Sequence, residues 1–309
     1  MRNWLELIAN FFSSFFYVEP SCLLRVTRIL TSVSLMKAVI LAAGYGTRLQ
    51  KDVLSDRSGR YAHLAGVAKP LLPVGDRALI SHWVRALSDS GGVDCIYVVT
   101  NAVYLSAFQE WAAHFPNVQI LCDQTTSNDN RLGAVACLQL SIKHFQIDDH
   151  VVVIGGDTLF REDFSVRRVL ERFSHLQAEK DSSCLVLSYQ CADQETQKYG
   201  ILEVDADHRV VCMKEKPLPT ETPSRRACPC FYVLSKKSLH YLDTFLEEKK
   251  DAPIGQRDAP GNFVSWIIPR APVFAYHISG RFDVGNLSSY LECDLYFRDK
   301  LQDVQSYMV

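Results

Sequence analysis

A strong charge of either sign is missing from this sequence: its 309 residues carry 33 Lys and Arg against 35 Asp and Glu, a formal net charge of −2. Without a broad cationic field there is no electrostatic footprint for a polyphosphate backbone, so nucleic acid is excluded as an expected partner. Long apolar runs are missing too. The most apolar stretch outside the main body, residues 4–18, is interrupted by Glu6 and Asn10 and is too short to span a bilayer. It reads as an upstream extension or an interfacial helix. A cleaved secretory signal is the alternative, because Arg2 and the Phe-rich run fit one although no A-x-A-like site follows. The ten cysteines lack the spacing of a disulfide scaffold, and the one C-x-C pair, Cys228 and Cys230, has no second pair or His cluster to complete a zinc site. They read as buried thiols in a reducing compartment, which makes the expected location cytoplasmic.

What is present is an alternation of β-branched runs with helical periodicity, the pattern of βα units on a mainly parallel sheet. From Met36 onward the expected strands are 37–42, 94–100, 118–122 and 150–155. Between them Ile80, Trp83, Val84 and Leu87 recur at helical spacing, as do Val135, Leu138 and Ile142, and then Val166, Val169, Leu170 and Phe173. These are core-facing stripes. After residue 182 the runs shorten (183–190, 199–205, 209–214, 230–235), which predicts a second, smaller lobe of antiparallel character, followed by a polar loop at 216–227 within it and a final helix near 286–300.

The chemistry concentrates at the ends of strands. Leu41-Ala42-Ala43-Gly44-Tyr45-Gly46-Thr47-Arg48-Leu49 directly follows the first expected strand. Its glycines let backbone N–H groups approach a phosphate, and Arg48 offers a planar, permanently charged fork to phosphate oxygens. A tight turn with a surface arginine is the plainer alternative. A dinucleotide fingerprint would need glycine where Leu49 stands, and a Walker loop would need G-K-[ST]; neither fits. Lys69-Pro70 follows in the same connection, and Lys216-Pro217 lies in the second half. A residue before proline is biased to extended backbone, so both lysines should project from loops as point charges. Asp157 follows an apolar strand and two glycines, at the strand end where open α/β sheets keep their ligand crevice. Helix capping is the plainer role for such an Asp. A carboxylate there suits Mg²⁺, which takes one or two carboxylates and fills the rest of its shell with water and phosphate oxygens.

In order, LAAGYGTRL, KPLLPVG, Leu132-Gly133-Ala134, Gly155-Gly156-Asp157, Tyr199-Gly200, Glu215-Lys216-Pro217 and Phe282-Asp283-Val284-Gly285 resemble the nucleotidyl transferase family, in particular its sugar-1-phosphate nucleotidylyltransferases of the glucose-1-phosphate thymidylyltransferase and mannose-1-phosphate guanylyltransferase type. The resemblance covers residues 37 to about 298. It implies a Rossmann-like, three-layer α/β fold with a mixed, mainly parallel sheet, divided into a nucleotide-binding part at 36–181 and a sugar-phosphate-binding part at 182–309, with residues 1–35 outside. It also implies an enzyme that makes an NDP-sugar and pyrophosphate from an NTP and a sugar 1-phosphate with Mg²⁺. By the same resemblance, Leu41, Ala42, Ala43, Gly44, Gly46, Thr47, Gln124 and Gly133 bind nucleotide. Arg48 and Lys69 face the leaving pyrophosphate, Lys216 the attacking sugar phosphate, Gly200 and Glu215 the sugar hydroxyls, and Asp157 with Asp283 the metal.

Three departures matter. Twenty residues separate Arg48 from Lys69, more than in many relatives, and read either as a lid or as a solvated excursion. Cys230 stands where the family commonly has glycine, which narrows the expected sugar pocket. Residues 123–128 carry amide and hydroxyl groups able to read a pyrimidine edge, yet they leave the base open. ADP-glucose relatives carry a hexapeptide-repeat tail, and the short stretch after Gly285 reads as the catalytic lobe alone. Substrates are the expected partners, with a homo-oligomer also open. A cytidylyltransferase acting on a phosphoalcohol and a silent nucleotide-sugar-binding regulatory subunit are the competing functions.

Overall fold

The computed structural model describes residues 35–161 and 163–306, and the reading of residues 4–18 lies outside them. The described residues from Met36 onward form one compact unit. Its strands are β1 Met36–Leu41, β2 Pro73–Val74, β3 Arg77–Ala78, β4 Val93–Thr100, β5 Val118–Cys122, β6 Val151–Gly155, β7 Thr158–Phe160, β8 Cys184–Gln190, β9 Gly200–Val204, β10 Val210–Glu215, β11 Arg226–Cys228, β12 Phe231–Leu234, β13 Val273–His277 and β14 Arg281–Asp283. The helices are α1 Thr47–Ser55, α2 Leu79–Ser90, α3 Leu105–Ala112, α4 Ala134–His144, α5 Val166–Glu179, α6 Tyr241–Glu248, α7 Ile254–Arg257, α8 Pro260–Ile267 and α9 Leu287–Ser306.

One mixed sheet runs β10-β9-β11-β8-β12-β6-β1-β4-β5, with β13 parallel to β8. The β1, β4, β5 and β6 pairings are parallel, as βα connections require, whereas β12 enters antiparallel to β6. Along β1, Ala38 and Ile40 pack on one face and Val39 on the other, the period-2 alternation of a strand covered on both sides. The Ala38 face is covered by α2 and α5, through Leu79, Trp83, Leu87, Val169 and Phe173. The Val39 face is covered by α4, α6 and α8, through Val135, Leu138, Phe245 and Phe263. This is the three-layer α/β fold with a mixed sheet.

The strands expected after residue 182 form, but they extend the main sheet, so β6 of the first half pairs directly with β12 of the second. The shorter runs reflect antiparallel strands at the growing edge. Short ladders β14·β7 and β2·β3 escaped the sequence because two or three residues carry no readable period. The 49–68 stretch is mostly not a free loop. It begins as α1, whose Leu49 and Val53 are buried, and Gln50 then ties the return by bonding Val67 O at 3.0 Å and the Gly66 N–H at 2.8 Å.

Candidate active site

The carboxyl end of β1 runs straight into the glycine loop. Gly46 has φ 61°, and a Cβ there would lie 3.3 Å from Lys69 Cγ, so this glycine both makes the left-handed turn into α1 and lets the Lys69 stem lie against the loop. Fully buried Asn101, at the end of β4, donates to Ala43 O at 3.0 Å, and Tyr45 OH meets Thr125 Oγ1 at 2.8 Å. The loop is thus pinned from the neighbouring strand ends. On the other side of β1, Gly156 N–H donates to Leu41 O at 3.0 Å, and a Cβ on Gly156 would stand 3.0 Å from that oxygen. Glycine is needed there for the two strand ends to meet. Asp157 follows directly, with its carboxylate 3.5 Å from Lys69 Nζ.

Leu41, Ala42, Ala43, Gly44, Gly46, Lys69, Gly133 and Asp157 line one cavity of about 290 Å³. Arg48 and Asp283 line a second, more polar one of about 700 Å³. The two are joined by backbone. Asp283 of β14 registers with Thr158 of β7, and Val284 N–H donates to Asp157 O at 3.0 Å. The two candidate metal carboxylates, 126 positions apart, therefore lie on adjoining backbone, each half-exposed and each facing its own cation: Lys69 for Asp157, Arg281 for Asp283 at 3.2 Å. Among the described residues no group of three or more His, Cys, Asp or Glu comes together, so a thiolate or imidazole cage is not available. Two solvent-facing carboxylates, one of them beside Lys69, fit an ion that completes its shell with water and substrate oxygens, which is the Mg²⁺ pattern.

Thr47, Gln124, Gly200, Glu215 and Lys216 line neither cavity. Gly200 and Glu215 nevertheless face each other across the β9·β10 ladder, where a Cβ on Gly200 would lie 3.1 Å from Glu215 Oε2, and Gly261 presses on the same carboxylate from α8. This burial raises the Glu215 pKa above its ordinary 4.5, with Lys216 opposing the shift. Lys216 departs from the extended backbone expected before proline: its φ is 51°, with its N–H on Tyr199 O at 3.0 Å. The left-handed turn keeps that strand-closing bond while reversing the chain. Lys69 also departs, opening a short 3₁₀ turn over Lys69–Leu71. Gln124 is likewise left-handed, at φ 64°. Such backbone is costly for residues with side chains, and two of the four instances described fall on expected site residues.

Several residues of the site went unread in the sequence. Asp258 reaches across the first cavity, accepting the Ala134 N–H at 2.8 Å and the Arg131 Nε–H at 3.0 Å, so its carboxylate caps α4 beside Gly133. An Asp between α7 and α8 carries no sequence signal for that distant contact. Cys230 also lines this cavity, and burial pushes its thiol up to about 12, which favours the neutral thiol over the nucleophilic thiolate. Half-buried Arg281 lies between Tyr189 OH, at 3.0 Å, and the Tyr199 ring, at 4.4 Å.

Comparison with known proteins agrees with this architecture. The sequence profile of the Nucleotidyl transferase family matches residues 37–300. A glucose-1-phosphate adenylyltransferase of Yersinia pseudotuberculosis is 25% identical over 279 residues, covering 85% of this chain and 60% of its own length. The chain thus spans about three fifths of the curated relatives it matches. Among solved structures, a Bacillus anthracis protein assigned as a glucose-1-phosphate thymidylyltransferase, in complex with sucrose, superposes with TM-score 0.66 at 22% identity, over 85% of this chain and 96% of that one. A UDP-glucose pyrophosphorylase complexed with UDP-glucose gives TM-score 0.63 at 19% identity, over 86% and 99%. At those identities the structures speak for the fold, and the profile, spanning most of the chain, speaks for descent: the chain belongs to the Nucleotidyl transferase family.

Proposed function

We propose that this protein transfers a nucleotidyl group from an NTP to a sugar 1-phosphate, releasing pyrophosphate and forming an NDP-sugar, with Mg²⁺ bound by Asp157 and Asp283. The observation that carries this reading is the junction at the strand ends, where the glycine loop, Lys69 and Asp157 meet in one cavity and Asp283 lies on the adjoining backbone. The loop backbone and Arg48 bind the triphosphate, and Lys69 neutralises the oxygens that become the leaving pyrophosphate. Lys216 holds the acceptor phosphate, while Glu215 and Gly200 take sugar hydroxyls. A phosphate monoester is already largely dianionic near neutral pH, so its oxygen attacks the α-phosphorus in line without a general base. When bound, the metal adds charge neutralisation at the crowded phosphates.

The name of the Yersinia relative and those of the structural neighbours point to glucose 1-phosphate among acceptors and leave ATP, dTTP and UTP among donors. A pyrophosphate-release screen of the common NTPs against a panel of sugar 1-phosphates, with phosphocholine included, tests the proposal. Release with a sugar 1-phosphate supports it. Release with phosphocholine alone assigns a cytidylyltransferase, and binding of nucleotide sugars with no release under any pairing assigns a silent binding subunit.

A further inference from the structure

Arg281 is largely enclosed: its side chain is 10% exposed, close to the 12% of Lys69, whereas that of Asp283 beside it is 38% exposed. All three guanidinium nitrogens donate. Nε donates to Tyr189 OH at 3.0 Å, Nη1 to Thr158 Oγ1 at 3.4 Å and Nη2 to Asp283 Oδ2 at 3.2 Å, and the Tyr199 ring lies 4.4 Å away. Two of these partners, Thr158 at the start of β7 and Asp283 at the end of β14, stand at the strand ends that carry the candidate metal carboxylates. Thr158 is the residue after Asp157 and the register partner of Asp283. One guanidinium therefore ties the Asp157 turn to the Asp283 turn from behind, and β8 supplies the Tyr189 hydroxyl that anchors it.

We propose that Arg281 is a positioning residue for divalent-ion binding: it holds the two carboxylate turns in register and occupies one oxygen of Asp283, leaving the other to the ion. The inference rests on the metal role proposed above for Asp157 and Asp283. Arginine is required because its rigid fork satisfies three separate acceptors at once; a lysine ammonium carries the same charge but is a single point that cannot reach all three. Groups standing behind metal ligands in this way commonly carry ten- to a hundredfold of metal affinity.

The test is Mn²⁺ binding to the full chain without substrates, followed by the electron paramagnetic resonance of free Mn²⁺, for the parent and Arg281→Lys. Charge is the same in both, so a change in affinity reports geometry. The expected result is weakening of roughly tenfold or more in a variant whose circular dichroism matches the parent. Tyr189→Phe, which removes one anchor and leaves Arg281 and both carboxylates in place, is expected to weaken binding by a smaller factor, and it stands as the test by itself if the lysine variant does not fold. Affinity within twofold of the parent in a folded Arg281→Lys, or an unchanged Tyr189→Phe where only that variant folds, overturns the inference while leaving the metal reading intact. Absence of Mn²⁺ binding to the parent overturns the metal reading, and this inference with it.

Discussion

Glu215 shows how a single side chain can be costly to the fold and wanted by the site. It sits between Gly200 and Gly261; a Cβ at Gly261 would run into its carboxylate and one at Gly200 into neighbouring Met213, and burial disfavours its charged form. Because its folded pKa is raised, the native state holds the proton to higher pH than the unfolded chain does. Between the unfolded value near 4.5 and the raised folded value, stability therefore falls as pH rises, and above both the whole penalty is present. Glu215→Gln removes that penalty while keeping the shape. The variant is expected to melt above the parent at roughly pH 8 and to lose this advantage as the pH falls through the raised folded value, with none left at or below about 4.5. Thermal melts across that range check it, and a pH-independent difference in melting temperature would contradict the assignment. Turnover is expected to fall at every pH, because an amide replaces the proposed hydroxyl acceptor.

At the scale of elements, the end of β6 against the start of β12 sets the wall beside Asp157. Gly155 N–H donates to Cys230 O at 2.8 Å, and a Cβ on Gly155 would lie 3.1 Å from Cys230 Cβ. Two antiparallel strands can approach this closely only if one of the facing residues lacks a side chain. Gly155→Ala is expected to destabilise by roughly 1–3 kcal/mol, the usual cost of overpacking a filled site. Cys230→Gly should recover most of it in the double variant, since the two residues share one space and their effects couple. Denaturant melts of the two single variants and the double variant measure that coupling. Strict additivity would mean that the strain lies elsewhere. The same exchange bears on the proposed acceptor: Cys230 lines the cavity beside Asp157, so on the proposed function Cys230→Gly is expected to widen the range of accepted sugar phosphates.

For the whole molecule, the decisive feature is that the second half returns to the first: β12 joins the main sheet beside β6 and β14 pairs with β7, so Asp157 and Asp283, 126 positions apart, lie on adjoining backbone. Asp157→Asn and Asp283→Asn are each expected to lower turnover roughly a hundredfold, about 2.7 kcal/mol of transition-state stabilisation at 1.36 kcal/mol per tenfold. Acting through one ion, the pair should lose far less together than the product of the two. Turnover measured against Mg²⁺ concentration for the three variants checks this, and multiplicative losses would separate the two carboxylates. The compact unit that starts at Met36, whose side chain is buried and whose N–H bonds Gly92 O at 2.9 Å, suggests a further test. A chain beginning at Met36 is expected to melt and turn over like the full chain. A drop in either would assign residues 1–35 a part in the domain.

The sequence by itself determined the layers and the order of the candidate site along the chain. Period-2 and period-3.6 apolar patterns depend on which face of an element is buried, a local property, so β1, β4, β5 and β6 and the stripes of α2, α4 and α5 were legible to within a residue or two. The glycine loop, Lys69 and Asp157 were legible because strand-end motifs keep their chemistry contiguous along the chain. Tertiary structure alone decided what depends on distant segments meeting: that the strands after 182 join the main sheet, that Asp283 adjoins Asp157 through the β14·β7 ladder, that Asp258 caps α4 and that Arg281 ties the two carboxylate turns together. It also decided the backbone at Lys216, where a hydrogen bond to Tyr199 O outweighs the local preference of a residue before proline. Pairings of this kind leave no periodic trace, because their energy comes from groups that sequence spacing does not relate.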